Sequence, residues 1–141
     1  MAGDITTQDR RMKAGDTEKI TINLGPVDLG QIDLLVQEGF YSNRTDLIRT
    51  AIRNQLQQHG EVVRQTVARK SLVLGLQHYS RADLEAARNA GRMLQIQVLG
   101  LATIGPDVTP ELALATIESV TVLGALHASD AVRKALAGRI H

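Results

Sequence analysis

The stretch EKITINL, residues 18–24, decides how this chain folds. Ile20, Ile22 and Leu24 alternate with Lys19, Thr21 and Asn23, a period of two that puts three apolar side chains on one face of a β-strand and three polar ones on the other. The residues that follow read as helix, so no second strand stands close enough in sequence to close a hairpin. A lone strand leaves its backbone N–H and C=O groups unpaired, which is costly unless another chain supplies the partner. A second copy of the same strand is the simplest partner.

Outward toward the C-terminus, Gly25-Pro26 ends the extended segment and Pro26 opens a helix. Leu29, Ile32, Leu35 and Val36 share one helical face, and Gly39 supplies the stop. A second helix follows in SNRTDLIRTAIRNQL, residues 42–56. Asn43 is its N-cap and Asp46 its first-turn carboxylate, while Leu47, Ile48, Ala51, Ile52 and Leu56 form the apolar stripe. Arg44, Arg49 and Arg53 lie off that stripe, the latter two reading as solvated positions. Toward the N-terminus, residues 1–17 are polar and without period, a flexible arm carrying the basic run RRMK at 10–13.

Composition narrows the chemistry. Of 141 residues 43% are hydrophobic but only 2% aromatic, so the core is aliphatic and base stacking is disfavoured. The chain has no cysteine, which excludes disulfides, thiolate metal sites and a cysteine nucleophile. No apolar run is long enough to span a bilayer, and MAGDITTQDRR lacks the apolar centre of a signal peptide, so the expected location is cytoplasmic, with no membrane partner. A net charge of +1 gives no general attraction for nucleic acid; DNA binding would rest on a few placed cations. A glycine-rich phosphate loop and a histidine set beside a nucleophile are both missing, so the chain is not read as an enzyme.

Residues 57–70 thin out in apolar content and are broken by Gly60, which marks a linker. Beyond it one pattern recurs three times: VLGLQHYSRADLEAA from 73, VLGLATIGPDVTPELA from 98 and VLGALHASDAVRKAL from 122, spaced by 25 and then 24 residues. Each copy opens with a β-prone run, passes a polar turn and becomes helical, which implies short parallel strands joined by helical crossovers. Leu74, Leu76, Leu99, Leu101 and Leu123 share one strand face; Val73, Val98 and Val122 with Gly75, Gly100 and Gly124 form the other. Both faces are apolar. Helices cover one, so the valine and glycine face is expected to meet another copy, making residues 71–141 an oligomerisation domain. In repeat length the unit loosely resembles a leucine-rich-repeat-like β/α solenoid, without the asparagine ladder.

The order strand, helix, helix over residues 18–56, with the YSNRTD lead into the second helix, resembles the ribbon-helix-helix DNA-binding domain of CopG/Arc/MetJ-type repressors. The resemblance implies an α+β protein: an intertwined N-terminal dimer followed by the small α/β repeat domain. Two antiparallel strands would present Lys19, Thr21 and Asn23 from each chain to base edges in a major groove, with Ile20, Ile22 and Leu24 sealing the dimer core. The start of the second helix, at Asn43, Arg44 and Thr45, would grip backbone phosphate.

The implied function is a sequence-specific transcriptional regulator, a repressor, acting as a homodimer or tetramer on double-stranded DNA. The alternative is an antitoxin or a plasmid or conjugation accessory factor whose C-terminal half binds another protein. His78 and His127 occupy equivalent places in the first and third repeats. Strands one and three of a sheet lie about 9.6 Å apart, too far for one ion to bind both, so neither metal nor other cofactor is assigned.

Overall fold

The structure, a computed structural model, describes residues 17–141; the arm as far as residue 16, with its RRMK run, lies outside the described residues. Six α-helices and one three-stranded sheet make up the described chain. It divides into two compact units, Lys19–Thr66 and Val67–His141, with Glu18 grouping with the second.

In the first unit, α1 spans Pro26–Gln37, with Pro26 at its start and Gly25 extended before it. Its end is a Schellman turn: the Phe40 N–H donates to the Leu35 carbonyl and the Gly39 N–H to that of Val36, with Gly39 at φ 87°. Helix α2, Arg44–Gln58, begins at Asn43, whose side-chain oxygen accepts from the Asp46 N–H at 2.8 Å. The segment expected to be a linker is helical. Helix α2 continues to Gln58, and α3 occupies Gly60–Arg69, so Gly60 marks a break between helices rather than a loose connection.

The second unit alternates strand and helix: β1 Val73–Tyr79, α4 Arg81–Asn89, β2 Leu94–Ile104, α5 Pro110–Thr116, β3 Ile117–His127 and α6 Asp130–Ala135, closed by a 3₁₀ turn at Ala137–Arg139. The strands are parallel and lie in chain order. Val73, Val98 and Val122 stand side by side, as do Gly75, Gly100 and Gly124. Strands β2 and β3 are longer than the repeated VLG run suggested, because Leu94, Ile96, Ile117 and Val120 extend them toward their N-terminal ends. Each helix has a side-chain cap at its start: Ser80 for α4, in a reciprocal capping box with Asp83, Thr109 for α5 and Ser129 for α6. Those Ser80 contacts, from backbone and hydroxyl, hold the Asp83 carboxyl below its ordinary value.

The expected division of the sheet faces is reversed. Val98 is fully buried and Val122 packs against the core, in one cluster with Ile96, Ala102, Leu84, Leu112 and Val132. The helices therefore cover the valine face at Val98 and Val122, which are not an outward oligomer surface, whereas Val73, at 43%, and Gly75 and Gly124 stay exposed. No helix among the described residues covers the leucine face, where Leu74 is 64% and Leu123 54% exposed and Leu99 and Leu101 of the central strand are partly exposed. The physical reason lies in where the crossovers carry Leu84, Leu112 and Val132, which two equally apolar strand faces do not reveal.

The glycine row has an intrachain cause. A Cβ on Gly100 would fall on the carbonyl oxygen of Gly75, with that group's carbon at 3.0 Å, and a Cβ on Gly124 would meet the Gly100 carbonyl in the same way. All three glycines hold φ between 123° and 140°, a region L side chains rarely adopt.

Candidate nucleic-acid interface

Residues 18–24, expected as a strand, are not assigned to one and join no ladder among the described residues. Lys19, Thr21 and Asn23 are exposed, and so are Ile20, Ile22 and Leu24, at 75%, 55% and 37%. Water does not favour a row of three such side chains without cover.

The deficit extends through the unit. No residue from Lys19 to Thr66 is buried, and Val27, Leu34, Phe40, Ile52 and Leu56 are exposed as well as Ile20, Ile22 and Leu24. Helices α1 and α2 carry the apolar positions of a core without the burial of one. A unit of this size that encloses nothing cannot by itself offset the entropy of ordering its own chain.

The start of α2 is built by local chemistry. Asn43 caps the helix through Asp46, whose carboxylate in turn accepts from the Ser42 N–H at 3.0 Å. The N–H groups of Arg44 and Thr45, the first two residues of the helix, have no acceptor among the described residues. Free N–H groups and the helix dipole make that end electropositive. A cleft of about 400 Å³ opens there, lined by Ser42, Asn43, Thr45, Asp46, Arg49 and Arg53.

Of the three residues expected to hold phosphate, Asn43 and Thr45 line this cleft, and Arg44 does not. Its guanidinium donates two hydrogen bonds, at 2.7 and 2.8 Å, to both carboxylate oxygens of Asp33 on α1. The hydrogen bond from Arg44 holds Asp33 below its ordinary value, and the pair raises Arg44 in return, so both stay charged at neutral pH. Arg49 and Arg53 line the cleft instead. The signal was present in the sequence: Thr45, Arg49 and Arg53 recur every four residues and therefore share one face of α2.

In the second unit, His78 Nδ1 lies 2.5 Å from Thr103 Oγ1, and His127 Nε2 lies 2.5 Å from Glu18 Oε1. No group of three or more His, Asp or Glu side chains among the described residues is placed to hold a metal ion. Among those residues no helix is long and apolar enough to cross a membrane.

An alternating apolar and polar segment, two helices with an electropositive start to the second, and no core among residues 19–66 are the parts expected of a ribbon-helix-helix unit. A model of the Ribbon-Helix-Helix transcriptional regulator family matches residues 15–133, and the chain belongs to that family. The match extends well past residues 18–56, so the β/α unit is largely included. No curated protein and no solved structure matches the chain. Membership makes this a DNA-binding transcription regulator of a family whose members bind DNA, usually as dimers, and are typically not enzymes.

Proposed function

We propose that this protein is a sequence-specific repressor of the CopG/Arc/MetJ type, located in the cytoplasm. Its strand 18–24 pairs antiparallel with that of a second chain and enters the major groove of double-stranded DNA. Residues 18–56 are the DNA-binding domain, 57–70 a helical connection and 71–141 an oligomerisation domain that joins two dimers into a tetramer. The observation that carries this reading is the coreless unit from Lys19 to Thr66, whose exposed Ile20, Ile22 and Leu24 are what an intertwined dimer encloses.

In that dimer the opposite strand face presents Lys19, Thr21 and Asn23 from both chains to base edges. Lysine donates to the guanine O6 and N7 acceptors, asparagine pairs with the N6 and N7 of adenine, and threonine meets a thymine methyl or a hydrogen-bonding edge. Phosphate contacts set the register of those side chains on the duplex without carrying sequence information. Asn43, Thr45 and the free backbone N–H groups of Arg44 and Thr45 supply them at the start of α2, with Arg49 and Arg53 beside them. Arg44 acts indirectly, through the Asp33 bridge that fixes the start of α2 against α1.

The test is footprinting across the source genome, followed by binding of the recovered site at several salt concentrations. A protected pseudo-palindrome whose half-sites are contacted in the major groove supports the reading. Binding that shows no preference over random DNA rejects it. A reporter placed behind the recovered site distinguishes repression from activation.

A further inference from the structure

We propose that the leucine face of the C-terminal sheet docks on the same face of a second copy, and that this contact is what joins two dimers. The inference rests on the tetramer read above and assigns the surface that builds it.

The uncovered face is ordered in rows by the strand register. Leu74, Leu99 and Leu123 stand abreast, followed by Leu76, Leu101 and Ala125. These two rows form an apolar band across all three strands, and the helices lie on the other side of the sheet. On one flank the next row is Gln97 and Thr121; on the other it is His78, Thr103 and His127. No lysine, arginine, aspartate or glutamate stands in any of these rows. The carboxylates at the margins are engaged, Glu118 by the Gln95 amide at 2.6 Å and Glu18 by His127.

Charge distribution selects the occupant. In a two-fold contact a patch meets itself, so a charge near the axis would face its own copy and repel it. An apolar band whose flanking rows hold no lysine, arginine, aspartate or glutamate carries no such penalty at its centre. It also lacks any charged group that would recognise a partner of opposite charge. The ribbon-helix-helix dimer makes every molecule bivalent for this face, so one contact between two dimers brings the others to high effective concentration.

The experiment uses the full-length chain, whose lack of cysteine leaves a single introduced thiol unambiguous. Leu101→Cys places that thiol on the central strand, and a bismaleimide of about 10 Å span matches the separation of stacked sheets. Sedimentation is run in parallel on wild type and on Leu74→Glu/Leu123→Glu. The expected result is a tetramer for wild type, efficient chain-to-chain linkage of Leu101→Cys, and a twofold fall in mass for the double variant with single-site DNA binding retained. A wild type that stays dimeric removes the tetramer itself. A tetrameric wild type in which the thiol at 101 stays unlinked overturns the leucine face alone, and does so even if the double variant fails to fold.

Discussion

Alanine at Gly100 and at Gly75 makes the same chemical change at two places in one row, and the structure assigns them different costs. Both glycines have positive φ, 140° and 124°, so each alanine carries backbone strain of about 1–3 kcal/mol. At Gly75 nothing lies within 4 Å of the added methyl, and the strain is the whole effect. At Gly100 the methyl falls on the Gly75 carbonyl, with that carbon at 3.0 Å and the Cα at 3.3 Å. These are backbone atoms of a neighbouring strand, so β1 must move away from β2. Separation leaves ladder groups without partners, at about 1–3 kcal/mol for each buried one. Gly100→Ala should therefore cost roughly 2–6 kcal/mol, a large part of the about 5–15 kcal/mol typical of a whole domain. The gap between the two variants, about 2 kcal/mol, corresponds to roughly 10 °C in melting temperature for a unit of this size. Thermal unfolding followed by far-UV circular dichroism, with hydrogen exchange of the β2 amides, measures it. Gly124→Ala should behave like Gly100→Ala, since its methyl meets the Gly100 carbonyl. Equal destabilisation by Gly75→Ala and Gly100→Ala would refute the intrachain origin of the glycine row.

Four further outcomes concern the DNA-binding unit. Thr21→Ala or Asn23→Ala should cost about 1–3 kcal/mol of discrimination at one base position while leaving the dimer intact; equal losses on operator and random DNA would count against base reading. Arg49→Ala and Arg53→Ala should each weaken binding to every sequence and reduce the salt slope by about 0.9, whereas an unchanged slope removes them from the phosphate contacts. Asp33→Asn should free the Arg44 guanidinium, raising non-specific affinity and steepening the salt dependence. The same bridge contributes at pH values above the ordinary aspartate value of 3.8 and is lost as pH falls through the lowered value of Asp33, so wild-type behaviour should approach that of Asp33→Asn only in acid. Ile22→Lys would bury an unpaired ammonium group from each chain in the shared core, at several kcal/mol apiece, and should leave no folded N-terminal dimer; a soluble variant that still binds DNA contradicts the intertwined strands.

Local signals carried much of this protein. The start of α1 at Pro26, its stop at Gly39 and the Asn43 cap of α2 were legible because each depends on groups within five residues of one another. The three VLG runs located the strands and even their register, since a parallel sheet in chain order aligns equivalent positions of a repeat. The helix at Gly60–Arg69 was hidden by its glycine and its sparse apolar residues, which lower propensity without forbidding a helix.

The sequence by itself settled which residues alternate, which cap and which repeat, because those are matters of period and short-range hydrogen bonding. Three others were decided only in the tertiary structure. Arg44 is bound because folding brings Asp33, eleven positions earlier, to hydrogen-bonding distance, leaving Arg49 and Arg53 to line the cleft. The glycines are required because the neighbouring strand places a carbonyl where a methyl would stand. Valine rather than leucine faces the helices because the crossovers carry Leu84, Leu112 and Val132 to that side of the sheet. Two strand faces of equal hydrophobicity give no local preference, and packing from outside the strand breaks the tie.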